Sequence, residues 1–374
     1  MTTQNPYIDI YRDSQAITRI FNALKILSKD LTQPLKVMEV CGGHTHTIMK
    51  YALPELLPEK IEFVHGPGCP VCVMPKNRID CAYKIASQEN VILVTLGDMI
   101  KVPGSYGSLQ NARAKGLDIR FVYSPLEVLR IAQENPTKQV VYFAIGFETT
   151  TPMSAALLER LISLKIHNVS LHINHVLVPP PLETILSAPN CKINALLAPS
   201  HVSVITGSNI YQPLLKKFKI PIVICGFEPL DVGESLLSIV QQVLNKSPQV
   251  ETQYARSVTT QGNQKAQELV EKYFELDDSF YWRGLGEIPH SSLRLKEKYA
   301  DYDASILFKK HLGGIAKEEH KGCLCGEILK GNKKPFDCKL FGISCTPQNP
   351  LGSCMVSSEG ACAAYYKYQG IRPV

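Results

Sequence analysis

The chain has 374 residues, of which 45% are hydrophobic and 20% charged, with a formal net charge of +6. That length exceeds one compact core, and the mixed composition excludes a disordered or low-complexity protein. Lysines and arginines are scattered rather than striped, which argues against nucleic acid, and the longest apolar runs, VILVTL and VVYFAIGF, fall far short of the roughly 20 residues that span a bilayer.

The N-terminal stretch MTTQNPYIDIYRDSQ has neither the positive start nor the apolar centre of a secretory signal. The chain is therefore expected in a reducing cytoplasm, where disulfides do not serve as a framework. From about Leu35 to Cys225, short β-branched runs alternate with amphipathic helical stretches, the pattern of a parallel sheet with crossover helices. Predicted strands cover 35–40, 61–65, 91–96, 119–123, 139–145, 169–174, 194–199 and 221–226. Their starts form two sets of four with near-constant spacing, 35, 61, 91 and 119 against 139, 169, 194 and 221. This reads as a duplicated α/β architecture: two similar parallel-sheet domains facing a cleft, with a cysteine-rich C-terminal region behind them. The expected boundaries are 1–135 for the first α/β domain, 136–250 for the second, and 251–374 for a helical and cysteine-rich domain.

In parallel sheets ligands bind beyond the carboxyl ends of the strands, so the strand exits are where chemistry is sought. The first strand runs into CGGHTH, with Cys41, two glycines, His44 and His46; a helix starting near Thr45 or Thr47 would lower the Cys41 thiol's pKa. The second runs into GPGCPVC, whose Cys69 and Cys72 form a C-x-x-C pair able to chelate a metal or cycle with a disulfide. Together Cys41, Cys69 and Cys72 offer three soft ligands for a transition metal. Glu148 in GFETTTP is expected to form a polar cleft wall, and His201 in PSHVS occupies a matching strand end. Cys81, Cys191 and Cys225 have no paired spacing and read as buried small hydrophobes.

The tail holds Cys323, Cys325, Cys338, Cys345, Cys354 and Cys362 in a segment too rich in Gly and Pro to build its own apolar core. No two C-x2-C pairs stand at zinc-ribbon spacing, and the C-x2-C-x2-C run of bacterial ferredoxins is absent. Four of the six thiolates could still ligate a 4Fe-4S cube and leave two as a redox pair; spacing alone leaves open which four. A metal centre is the economical way to hold such a tail.

Through CGGHTH, GPGCPVC, GFETTTP, PSHVS and the tail from CLC to GACAAYYKY, nearly the whole chain resembles the HypD family of NiFe hydrogenase maturation proteins. The resemblance implies an assembly scaffold with redox activity rather than a conventional turnover enzyme. It would bind a small HypC-type partner and hold with it an iron ion that receives two cyanides, delivered from a HypE-type donor, and one carbon monoxide. It implies that Cys41 is the iron-binding thiolate, Cys69 and Cys72 a dithiol switch, and His44 an essential neighbour. It further implies a 4Fe-4S cluster on Cys323, Cys338, Cys345 and Cys362, leaving Cys325 and Cys354 as the adjacent redox pair. The alternative is a free-standing iron-sulfur disulfide reductase acting on protein thiols.

Overall fold

A computed structural model describes residues 8–313 and 322–369. Residues 1–7, on which half of the signal-sequence reading falls, and the outer ends of the first and third expected domains lie outside the described residues.

Helix α1 (Ser14–Leu27) is N-capped by the Asp13 carboxylate, which accepts from the Ala16 amide at 2.9 Å. Among the described residues nine parallel strands follow: β1 (Leu35–Glu39), β2 (Ile61–His65), β3 (Val91–Leu96), β4 (Ile119–Val122), β5 (Gln139–Gly146), β6 (Val169–His175), β7 (Ala195–Pro199), β8 (Ile222–Cys225) and β9 (Val250–Thr252). In β5, β7 and β8 almost every residue is buried, as expected for strands covered by helices on both faces. The expected α/β class therefore holds, with two parallel sheets and a cysteine-rich C-terminal region.

Strand membership is not sequential. One sheet has the order β9-β8-β7-β1-β2 and the other β4-β3-β5-β6. The chain thus leaves the first sheet after β2, builds all of the second, and returns at β7. This corrects the grouping into two consecutive sets of four strands: a boundary at 135/136 falls between β4 and β5 of one sheet, and a boundary at 250/251 cuts β9. Evenly spaced strands carry no information on which ones pair, so periodicity could not separate an insertion from a duplication. Strand β9 escaped prediction because its residues are all half-buried at a sheet edge and lack an apolar run.

The antiparallel hairpin β10 (Ser279–Trp282) and β11 (Gly286–Pro289) precedes the tail, and the fully buried Trp282 donates its indole N–H to Ser291 Oγ at 2.8 Å. The tail is built from turns and short helices, and its own buried cysteines help make its interior. Its last helix, Ala361–Tyr368, packs on the helix Gly42–Lys50 that follows β1. Among the described residues no helix is long and apolar enough to cross a membrane.

Candidate functional site

Because β7, β1 and β2 are neighbours in one parallel sheet, their exits open at the same edge. That edge gathers His201, Cys41 and the Cys69–Cys72 pair from segments far apart in sequence. Cys41 is itself the N-cap of α2 (Gly42–Lys50), its sulfur accepting the Gly43 amide at 3.3 Å. The helix therefore starts earlier than Thr45. It can do so because a Cβ on Gly42 would lie 2.3 Å from the Glu359 Cβ, and one on Gly43 would lie 2.9 Å from the Phe227 ring.

The expectation of an acidified Cys41 thiol is overturned. Burial pushes the free thiol well above its usual value, with the nearby Glu359 carboxylate adding to the rise. His201 Nδ1 lies 3.6 Å from the Cys41 sulfur. His44 and His201 both pack on Phe227, with ring centroids 4.9 Å and 5.3 Å away. Burial lowers both imidazoles to about 4, so both are neutral near pH 7. His44 gives its Nε2–H to the Cys225 carbonyl at 3.1 Å, and its buried Nδ1 has no protein partner. It is left as a nitrogen donor inside the site.

The dithiol loop meets the Cys41 turn backbone to backbone. Gly42 N–H points to Gly68 O at 3.4 Å, and a Cβ on Gly68 would fall 2.2 Å from Val40 O and 2.5 Å from Cys41 Cα. Only glycine permits that approach. Next comes α3 (Pro70–Val73), capped by the Cys69 sulfur, which accepts the Cys72 amide at 3.3 Å. Among the described residues no group of three or more His, Cys, Asp or Glu side chains stands ready to hold a metal ion. The Cys72 thiol neighbours those of Cys354 and Cys69.

From there a series of sulfurs continues into the tail. The Cys354 thiol also neighbours that of Cys325, which in turn neighbours those of Cys323 and Cys362. Hydrogen bonds from Cys325 and Cys72 hold the Cys354 thiol down to about 6 despite its burial. The Ser353 hydroxyl pins this segment by donating to the Cys72 carbonyl at 2.5 Å. Cys323, Cys325, Cys338, Cys345 and Cys362 all line one apolar pocket. Gly352 is required at its wall, since a Cβ there would lie 2.6 Å from the Cys323 sulfur and 2.7 Å from that of Cys325. All twelve cysteines are free thiols. Of the three left unpaired by spacing, Cys225 is fully buried, whereas Cys81 and Cys191 are partly exposed.

Glu148 is half-buried; one carboxyl oxygen accepts the Val178 amide at 2.9 Å, and the other is shielded from water with no partner. Burial raises it from 4.5 to about 7. The folded protein then holds a proton that the unfolded chain gives up between those values. Its contribution to stability is complete below about 4.5 and is lost as pH rises through about 7. Glu148→Gln should therefore gain on the parent by up to about 3 kcal/mol between about pH 4.5 and above about pH 7, read by urea unfolding at both ends. A difference that stays flat with pH would contradict the buried carboxyl.

Two members of the site were not singled out from sequence. Glu359 packs on Gly42, and Phe227 separates the two histidines. The EGACAA and CGFEP stretches that carry them held the signal, because a carboxylate and an aromatic there adjoin cysteines.

The arrangement defines a thiol-based protein: a two-sheet α/β body with a cysteine and two histidines at one strand edge, joined by a dithiol to a multi-cysteine pocket. The family profile described as "HypD: Hydrogenase formation hypA family" matches residues 15–369, and the chain belongs to that family of hydrogenase maturation factors. It is 46% identical over 373 residues to "Hydrogenase maturation factor HypD2" of Bradyrhizobium diazoefficiens, covering 98% of this chain and 97% of the relative. Identity is 48% to the HypD factor of Azotobacter vinelandii, over 97% and 96% of the two chains. It is 43% to that of Escherichia coli, over 97% and 98%.

Proposed function

We propose that the protein is an assembly scaffold on which an iron ion acquires two cyanides and one carbon monoxide before transfer to a NiFe hydrogenase. The observation carrying this reading is the row of neighbouring thiols Cys69, Cys72, Cys354 and Cys325, which runs from the loop beside the Cys41 turn to the five-cysteine pocket. The cargo iron is the substrate. Cyanide and carbon monoxide bind low-spin ferrous iron, so its holder must be electron-rich and kept reduced. The Cys41 thiolate supplies that donation, with His44 Nδ1 and His201 as neutral neighbours. A single protein thiolate is enough where the remaining positions go to cyanide, carbon monoxide and a cysteine of a HypC-type partner. A HypE-type protein would donate the cyanide.

The donor chemistry of Cys323, Cys338, Cys345 and Cys362, soft thiols around one apolar pocket, fits a 4Fe-4S cluster, which supplies electrons one at a time when bound. The side chains between pocket and cleft carry out the two-electron step. The Cys354 thiolate attacks Cys72 of an oxidised Cys69–Cys72 disulfide; the Cys354–Cys72 bond forms, and Cys69 leaves as a thiolate and takes up a proton. Cys325 then attacks Cys354, releasing Cys72 to be protonated in turn, and the oxidation now resides in a Cys325–Cys354 disulfide. A low-potential one-electron donor acting twice, with two protons from water, restores that pair.

The test is infrared spectroscopy of anaerobic protein copurified with its small partner. Metal-bound cyanide and carbon monoxide bands, with iron in excess of the cluster, are expected. Iron-sulfur protein lacking both would instead be a stand-alone disulfide reductase.

A further inference from the structure

Strand β1 ends in a carboxylate that water does not reach: Glu39 is 0% exposed. A buried carboxylate is costly unless its oxygens are occupied, and here they are. One oxygen accepts the Cys41 backbone N–H at 3.2 Å; the other accepts the Thr45 hydroxyl and faces His65 Nδ1 at 2.5 Å. His65 closes β2 and is also buried. On the other side of its ring, His65 Nε2 lies 3.2 Å from the Tyr365 hydroxyl. Tyr365 sits on α4 (Ala361–Tyr368), one helical turn beyond Cys362. A chain of hydrogen bonds therefore links the Tyr365 hydroxyl through His65 to Glu39, which also accepts the Cys41 amide.

Each segment in this chain carries a thiol of the site. Glu39 and Thr45 flank Cys41, His65 opens the loop that delivers Cys69 and Cys72, and Tyr365 belongs to the helix of Cys362. We propose that Glu39 and His65 are positioning residues that lock the Cys41 turn, the dithiol loop and the tail helix into one register. The inference deepens the scaffold reading and rests on it only in taking Cys41 as the working thiolate. An apolar residue at either position would pack the strand ends as well as neighbouring Met38 and Val64 do, but it would leave the Cys41 amide and the Tyr365 hydroxyl without these partners.

The register can be read without iron, through the alkylation rate of each cysteine in the full chain, followed by mass spectrometry under anaerobic conditions. Tyr365→Phe removes one hydrogen bond and should raise labelling of Cys41 about fivefold, with Cys225 unchanged and the iron-sulfur absorbance intact. Glu39→Gln should raise it by about tenfold or more, since a charge-assisted bond is lost. His65→Gln, whose carboxamide can both donate and accept, should lie closer to the parent than His65→Ala. If Cys41 labels at the parental rate in Tyr365→Phe, or if Cys225 accelerates in step with Cys41, the positioning role is wrong. Should Glu39→Gln not fold, Tyr365→Phe decides alone. Because no cargo iron enters the measurement, its outcome is independent of whether cargo iron is ever found.

Discussion

On the proposed scaffold reading, protein carrying Cys41→Ala should remain folded and keep the absorbance of the proposed iron-sulfur cluster while losing the proposed cargo iron, together with its cyanide and carbon monoxide bands. The substitution removes one sulfur from a buried N-cap and withdraws an acceptor from the Gly43 amide. For a cysteine acting as a small hydrophobe that costs about 1 kcal/mol, which a protein of this size tolerates. No neighbour can replace it. His201 and His44 offer neutral nitrogens, and the Cys72 thiol is turned toward Cys354. The functional loss is thus expected to be complete where the structural loss is slight. Iron analysis, infrared spectra and thermal unfolding of the same preparation separate the two, and retention of the extra iron would exclude Cys41 as its ligand.

The second large effect is expected at Cys354. It is fully buried, neighbours Cys325 and Cys72, and sits in an environment that favours the thiolate. Since the thiolate is the attacking species in exchange, Cys354→Ala removes the step that reaches an oxidised Cys69–Cys72 pair. Reduction of that disulfide by a low-potential donor should fall to background, while absorbance remains because the proposed cluster thiols are unaltered. Trapping the free thiols over time with an alkylating agent follows the reaction. Unchanged reduction would mean that electrons reach the cleft by another path. A loss of absorbance alone would place Cys354 among the cluster ligands.

Much of the site could be read before any fold was known, because its parts lie at strand exits and a parallel sheet carries chemistry there. Cys41, His44, the Cys69–Cys72 pair and His201 all come from such exits. The errors have physical causes. The Cys41 thiol was expected to be acidified by a helix N-terminus, but its burial against the Glu359 side proved the larger effect. Glu39 and His65 looked like ordinary strand residues, since nothing in a linear pattern shows that a carboxylate on one strand meets an imidazole on the next.

What the sequence by itself determined is the local chemistry: the α/β alternation, the thiols and glycines at the turns, and the family that these motifs mark. Only the tertiary structure decided which strands pair, because even spacing is equally compatible with an inserted domain and a repeated one. It alone brought β7 beside β1, and so His201 to Cys41, and set Cys354 between Cys72 and Cys325. Those neighbours arise from sheet order and from the docking of the tail, which are long-range packing outcomes that no short stretch of chain encodes.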